Sequence, residues 1–327
     1  MIISKVYKDF YLSSYMAINM SLKTKFFKNL ENSKNFQSKI KTSLAIGILI
    51  LALFVAGCSQ VPQEQKDGKL NVVVSILPQK AFVKAVGGDL VNVKELIHQG
   101  GSPESYEPKP TDLALVEKAD IYFRIGYIPF EKSHIEKFAE LNPDMKIIDT
   151  SVNVKLRELE EDGHRGVDPH IWLSPMQVKK QIDIIAQTLA QADPINNGTY
   201  NSNAEKFKKE LDTLHSEIKS EFAELKTNKL LVFHPAWGYF ADEFGLEQIA
   251  IEQSGKEPTA QELQHIIKEA KDENIKVIFV QSQFNKDIAE SVAQEVGAVV
   301  VSTDPLSEDY INNLRNVATT IAENLNK

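Results

Sequence analysis

The feature that most constrains the fold of this chain is an alternation of short, β-branched apolar runs with helical patterns. Strands that alternate with helices predict βαβ units and a mostly parallel sheet. The predicted strands are residues 70–76, 91–97, 121–125, 146–149, 230–233, 277–280 and 298–301. The predicted helices that accompany them are residues 112–119, 176–192, 260–272 and 286–296.

The longest segment with a helical period of apolar residues lies in the second half of the chain. Its apolar residues recur at spacings of three and four, which is one face of a helix over residues 203–226. They are Phe207, Leu211, Leu214, Ile218, Phe222 and Leu225. At 1.5 Å per residue this helix is about 35 Å long, enough to run along two lobes. A length of 327 residues also favours about two domains.

The pattern therefore predicts an α/β protein with two lobes of mostly parallel sheet, joined by a long helix. The N-terminal lobe is predicted over residues 70–200, the linking helix over 201–228 and the C-terminal lobe over 229–327. Residues 58–69 are polar and are interpreted as a tether.

The N-terminal segment has the pattern of an export signal. Lys39 and Lys41 precede the apolar residues 44–55, and small residues lead to Cys58, the single cysteine of the chain. The run is too short for a comfortable membrane-spanning helix. Residues 55–58 resemble a bacterial lipobox, which implies that residues 1–57 are removed and Cys58 carries lipid. The alternative is an uncleaved signal anchor with a buried free thiol at Cys58.

Charge is distributed unevenly along the chain. Residues 1–57 hold eight lysines and two acidic residues, so the remaining residues carry a net charge of −14. Nucleic-acid binding requires clustered cations, and a body this acidic is poorly suited to it. An acidic body suits a cationic ligand better.

Three side chains are candidate metal ligands on the basis of their positions. His170 lies between two prolines, His234 follows a predicted strand, and Asp304 follows another. In parallel sheets, ligands bind beyond the carboxyl ends of strands. The alternative is that each side chain makes a local hydrogen bond in its turn. His215 and His265 fall among charged residues of helical patterns and are predicted to be solvated.

Four motifs resemble those of the zinc- and manganese-binding lipoproteins of ABC importers, the cluster A-I solute-binding proteins. They are residues 102–108 (SPESYEP), 168–175 (DPHIWLSP), 233–240 (FHPAWGYF) and 303–306 (TDPL). The resemblance, closest to the zinc-uptake type, covers residues 70–327. It implies two lobes joined by a rigid helix, with one transition-metal ion in the cleft. It also implies His170, His234 and Asp304 as ligands.

One position departs from that family's pattern. Glu104 stands where the family usually has histidine, and a shell of Glu104, His170, His234 and Asp304 is one interpretation. The other is a solvated Glu104, with water or Glu107 completing the shell. Two carboxylates suit Mn²⁺, whereas zinc accepts the mixture and a histidine at the third position is typical of the family's zinc binders. We expect Zn²⁺ first and Mn²⁺ next, one ion per chain.

Aromatic residues and amides near these motifs have predicted roles as well. Gln281 and Gln283 end a predicted strand and are candidates to orient the ligands. Residues 158–164 are interpreted as a charged surface loop, and the long His-rich loop of many zinc-type relatives is absent. The predicted walls of the cleft, with ordinary core as the alternative, are Tyr106, Trp172, Trp237 and Phe284.

The resemblance implies a monomeric binding protein that delivers its ion to an ABC permease and its ATPase. It would be exported and anchored by lipid at the outer face of the cytoplasmic membrane, without a nucleic-acid partner. The alternative is a surface adhesin. A metal-dependent hydrolase is least favoured, because four protein ligands leave no position for a reactive water. We therefore do not expect an enzyme.

Overall fold

The structure is a computed structural model that describes residues 68–161, 164–252, 258–284 and 286–326. The predicted signal segment, Cys58 and nearly all of the predicted tether lie outside these residues. Within the described ranges, no helix combines the length and the apolar character needed to span a bilayer.

The N-terminal lobe is built on a four-stranded sheet. Its strands are β1 (Leu70–Val74), β2 (Val91–Glu95), β3 (Ile121–Arg124) and β4 (Lys146–Asp149). All pairs are parallel, in the order β2-β1-β3-β4. Val72, Val73 and Val74 are buried in succession, as expected of a parallel strand that is covered on both faces.

Three helices connect the strands of this sheet. They are α1 (Leu77–Gly87), α2 (Pro110–Glu117) and α3 (Pro129–Leu141). Each has a proline in its first turn, where the missing N–H costs no hydrogen bond.

A short antiparallel hairpin follows β4. Its strands are β5 (Glu158–Glu161) and β6 (His164–Val167). The described residues of the segment predicted as a surface loop therefore lie in paired strands. The hairpin leads directly into the turn that carries His170.

The C-terminal lobe repeats the arrangement with a second four-stranded sheet. Its strands are β7 (Lys229–Val232), β8 (Glu247–Ala250), β9 (Val277–Gln281) and β10 (Val299–Thr303). They are parallel in the order β10-β9-β7-β8. The connecting helices are α6 (Gly238–Phe244), α7 (Ala260–Asp272) and α8 (Asp287–Val296). Thr259 and Glu262 form a capping box that fixes the start of α7.

Three longer helices connect and cover the lobes. They are α4 (Pro175–Ala192), α5 (Asn197–Glu221) and α9 (Tyr310–Leu325). The ring of Phe82 on α1 lies 6.2 Å from Phe207 on α5 and 4.8 Å from Tyr310 on α9. Elements of both lobes thus pack together around α5, and one hydrophobic cluster includes residues from both sheets.

The predicted fold class is confirmed: the chain has two α/β lobes with parallel sheets and a long helix between them. The predicted bounds of that helix, residues 203–226, are shifted. The helix begins at Asn197, because Pro194–Asn196 forms a 3₁₀ turn that leads straight into it. It ends at Glu221, where Phe222–Glu224 tightens into another 3₁₀ turn. The proposed domain boundaries stay predictions.

Candidate metal site

Three donor side chains converge between the two lobes. One donor atom from each of Glu104, His170 and His234 lies within 4.8 Å of the others. Glu104 Oε1 is 3.1 Å from Nε2 of His234 and 3.6 Å from Nε2 of His170. The two imidazole rings are 5.3 Å apart. This arrangement gathers two nitrogens and a carboxylate around one point, as a small cation requires.

The connections of the fold place these donors together. Glu104 lies in the segment between β2 and α2, and His170 begins the 3₁₀ turn Ile171–Leu173 that precedes α4. His234 comes two residues after β7, which is the carboxyl end of a parallel strand. The first two donors come from the N-terminal lobe and the third from the C-terminal lobe.

Buried carboxylates hold the far side of both imidazole rings. Asp168 Oδ1 lies 2.8 Å from Nδ1 of His170 and accepts the backbone N–H of the same residue at 2.9 Å. Glu252 Oε2 lies 2.7 Å from Nδ1 of His234. Both carboxylates are buried. A ring that donates its Nδ1–H to a carboxylate keeps its Nε2 lone pair for a ligand, which is the usual support of a metal-binding histidine.

The charges of the site are coupled. Burial raises the pKa of Glu104, but His170 and His234 outweigh it and hold that pKa well below its ordinary value. Burial lowers the pKa of His234, yet Glu104 and Glu252 raise it to about 9. The pKa of His170 is raised as well, since Asp168 and Glu104 outweigh the effect of burial. An incoming cation therefore replaces protons.

His234 also has the orientation of a ligand. Its Nε2 is buried and has no aligned hydrogen bond to any described residue, although Glu104 Oε1 is only 3.1 Å away. A buried nitrogen without an aligned hydrogen bond is costly. A bound cation would satisfy it.

The cavity beside these donors is very small. The space open to the centre of a water-sized sphere is about 10 Å³, which is room for one ion or one water molecule. Trp172 lines it with its ring 5.1 Å from His170, and Phe284 stacks on His234 at 4.8 Å. These apolar rings limit the access of water and strengthen the attraction between an ion and its ligands.

Two of the four aromatic residues predicted to wall the cleft do not line this cavity. Trp237 packs against Phe240 at 5.5 Å, and Tyr106 packs against Phe130 at 4.8 Å. Both are part of the ordinary core packing. The reason is that each ring points toward a helix of its own lobe.

Asp304 lies outside the converging set. Its Oδ1 accepts hydrogen bonds from the backbone N–H of Leu306 at 2.9 Å and from Nε2 of Gln283 at 3.0 Å. These are local bonds of the kind that the alternative interpretation expects. The role of Asp304 as a ligand stays a prediction. Gln281, the last residue of β9, contacts the site by donating a hydrogen bond to the carbonyl oxygen of His234 at 3.3 Å.

One histidine differs from its predicted state. His215 is not simply solvated, because its Nδ1 lies 2.7 Å from Oε1 of Glu243. The other oxygen of Glu243 bonds Ser174, the N-cap of α4. His265 is exposed on α7, as expected.

Comparison with known proteins gives a consistent result over most of the chain. Residues 72–324 match the family described as ZnuA, "Zinc-uptake complex component A periplasmic". The zinc-binding lipoprotein AdcA of Streptococcus pneumoniae (strain ATCC BAA-255 / R6) is 29% identical over an alignment of 291 positions, and the alignment covers 82% of this chain and 55% of AdcA. The chain thus spans about half the length of this curated relative.

Solved structures agree with this match. A crystal structure of ZnuA is 41% identical and superposes with a TM-score of 0.75, covering 79% of this chain and 99% of that one. The laminin binding protein Lmb of Streptococcus agalactiae, described as bifunctional "with adhesin and metal transporting activity", is 29% identical. Its TM-score is 0.70, with 79% of this chain and 99% of that one covered. With the family match covering well over half of its length, the chain belongs to the ZnuA family of periplasmic zinc-uptake components.

Proposed function

We propose that this chain is an extracytoplasmic solute-binding protein that captures one Zn²⁺ or Mn²⁺ ion between its lobes and delivers it to an ABC-type permease. The observation that carries the proposal is the convergence of Glu104, His170 and His234 within 4.8 Å. The cavity beside these three donors has room for a single small ion, so the proposed ligand is a bare cation rather than an organic molecule.

Ion binding is expected to favour one arrangement of the lobes. Since Glu104 and His170 come from one lobe and His234 from the other, only an arrangement that brings all three together gives the ion its full set of contacts. A ligand shifts a conformational equilibrium by its difference in affinity for the two states. Because α5 packs against elements of both lobes, we expect a small shift with loop rearrangement rather than a wide hinge motion.

We place Zn²⁺ first and Mn²⁺ second. Two imidazoles and a carboxylate form a set that zinc accepts. Asp304 is proposed as the fourth donor, which it becomes by exchanging its bonds to Gln283 and Leu306 for the ion. A second carboxylate would make the shell more suitable for Mn²⁺.

Export and anchoring complete the proposal. Cys58 is proposed as the lipid attachment site that holds the monomeric protein at the outer face of the cytoplasmic membrane, beside the permease and its ATPase. The description of the family as a periplasmic component of an uptake complex supports this location.

Adhesion is a second candidate, supported by the likeness to Lmb. It can be tested with purified protein passed over immobilised laminin in the presence and absence of Zn²⁺. Saturable binding favours adhesion, and its absence leaves metal capture as the single proposal.

Calorimetric titration with Zn²⁺ and Mn²⁺ tests the main proposal. We expect one ion per chain. We also expect His170→Ala and His234→Ala each to weaken binding at least tenfold, which corresponds to a loss of about 1.4 kcal/mol or more in binding free energy. His265→Ala is the matched control, because His265 is an exposed histidine on α7. Equal affinities for all four proteins would refute the site.

A further inference from the structure

Arg157 is the residue before β5 of the β5–β6 hairpin, and it reaches the proposed ligand His170 through Asp168. Its Nη1 is 3.4 Å from Oδ2 of Asp168, and its Nε is 3.1 Å from Oδ2 of Asp242 on α6. Asp168 is completely buried, and its other oxygen holds His170. The guanidinium of Arg157 is thus the cationic partner of the carboxylate that orients a ligand.

The backbone around Arg157 is fixed by three further hydrogen bonds. The N–H of Arg157 donates to the hydroxyl of Tyr239 at 2.8 Å, and that hydroxyl donates to the carbonyl oxygen of Asp168 at 3.1 Å. The carbonyl oxygen of Arg157 accepts the N–H of Asp168 at 2.9 Å. Arg157, Asp168 and Tyr239 therefore form a closed ring of contacts.

Gly238 leaves the room that this contact requires. A Cβ at position 238 would lie 2.5 Å from Nη1 of Arg157 and 2.8 Å from Oδ2 of Asp168. Any side chain there would force the guanidinium, the carboxylate or both to shift. Because glycine has no side chain, Arg157 and Asp168 can both lie close to the backbone of residue 238.

These contacts join the two segments that carry the histidine ligands. Asp168 precedes His170 by two residues, while Gly238 and Tyr239 begin α6 shortly after His234. The junction therefore ties the turn of one lobe to the helix start of the other at a point beside the metal site.

We propose that Arg157 is a positioning residue of the metal site. Its guanidinium contacts Asp168 through Nη1 and Asp242 through Nε, and through Asp168 it holds the His170 ring at the distance from His234 that a single ion needs. A lysine would supply the charge without the planar group that reaches both carboxylates. The inference rests on the proposed metal-binding function, and it adds a residue that none of the four sequence motifs contains.

Arg157→Gln is expected to weaken Zn²⁺ binding by about 10–100-fold, the range typical of residues that orient metal ligands. Arg157→Lys should lose less. Arg315→Gln is the matched control, because Arg315 pairs with Glu217 at 3.0 Å on the exposed surface of α9 and α5. Affinity is measured by competition with a chromophoric chelator, and the melting temperature is recorded for each variant.

Gly238→Ala provides an independent route to the same effect. If Arg157→Gln and Gly238→Ala both act by separating Arg157 from Asp168, their effects do not add. The double variant then binds Zn²⁺ no more weakly than whichever single variant has the lower affinity. The visible absorption spectrum of bound Co²⁺ reports ligand geometry, and we expect it to change in Arg157→Gln and Gly238→Ala but not in Arg315→Gln. A purely structural role would lower the melting temperature and leave the Co²⁺ spectrum unchanged.

The outcomes separate the inference from the proposed function. A wild-type protein that binds no Zn²⁺ overturns both. Wild-type binding that is retained within about twofold in Arg157→Gln, or losses that add in the double variant, overturn only the role of Arg157. Should Arg157→Gln fail to fold, Arg157→Lys and Gly238→Ala carry the same test, with wild-type affinity in both as the refuting result.

Discussion

The indole Nε1 of Trp172 donates a buried hydrogen bond of 2.8 Å to the carbonyl oxygen of Pro305. Trp172 follows the proposed ligand His170 by two residues, and Pro305 follows Asp304 directly. This bond therefore joins the His170 turn of the N-terminal lobe to the Asp304 loop of the C-terminal lobe. It holds the cavity wall in place.

Trp172→Phe removes this hydrogen bond and leaves a buried carbonyl oxygen without its donor. We expect the free energy of unfolding to fall by about 1–3 kcal/mol, measured by urea denaturation of the metal-free protein. Tyr310→Phe is the control, since the Tyr310 hydroxyl is buried without a hydrogen-bond partner among the described residues. Equal stability of the two variants would contradict the importance of the bond.

Glu252→Gln removes the negative charge behind His234. We expect Zn²⁺ affinity to fall by about 10–100-fold. The pKa of His234 in the metal-free protein, now raised to about 9 partly by Glu252, should move back toward its ordinary value, as NMR titration of the ring will measure. Glu247→Gln serves as the control, because Glu247 is an exposed residue of β8 paired with Lys229. Unchanged affinity and pKa in Glu252→Gln would remove Glu252 from the site.

Lys80 connects the lobes through charge. Its Nζ lies 2.8 Å from Glu95 at the end of β2 and 3.1 Å from Glu308 in the loop after Asp304. Although burial opposes each charge, these contacts raise the pKa of Lys80 and lower the pKa of both glutamates.

Lys80→Met should therefore destabilise the protein by about 1 kcal/mol near neutral pH. The glutamates contribute stability above their unfolded pKa of 4.5 that is lost as pH falls through their lower folded values. The lysine contributes stability below 10.5 that is lost as pH rises through its higher folded value. We expect the difference from wild type to disappear at acid pH in urea denaturation. A difference that does not shrink as the pH falls below 4.5, or an equal loss in the exposed pair variant Lys268→Met, would contradict this.

Asp304→Asn tests whether the fourth carboxylate reaches the ion. If Asp304 leaves Gln283 for the metal, the variant should lose about tenfold or more in Mn²⁺ affinity and less in Zn²⁺ affinity, because Mn²⁺ depends more on carboxylate oxygen. Competition titrations with both ions provide the measurement. Unchanged affinity for both would mean that Asp304 keeps its bonds to Gln283 and Leu306.

The sequence predicted the sheets well for a physical reason. Parallel strands are covered on both faces, so runs such as residues 121–123 and 277–280 are continuously apolar and easily seen. Strand β8 was missed because its sequence, EQIA, is half polar and only partly buried. Helix α9 was missed although Leu314, Val317 and Ile321 form a buried stripe, because polar and small residues separate them.

The residues of the candidate site also divide into those that the sequence marks and those that it does not. His170 and His234 were predicted because prolines and strand ends mark their positions. Glu252 follows the strand that was missed, so nothing in the sequence connected it with His234. Arg157 gave no signal either, since its contact with Asp242 spans 85 residues and depends on how the lobes assemble.

The cavity beside His170 and His234 has consequences for how the protein is loaded. A space of about 10 Å³ is room for one ion or one water molecule, so a metal ion still bound to a small chelator would not fit into it whole. If the proposed function holds, an ion that arrives on such a chelator has to leave it as Glu104, His170 and His234 take over. Uptake is then a ligand-exchange reaction, and its speed should depend on which chelator the medium contains and not only on the total metal present.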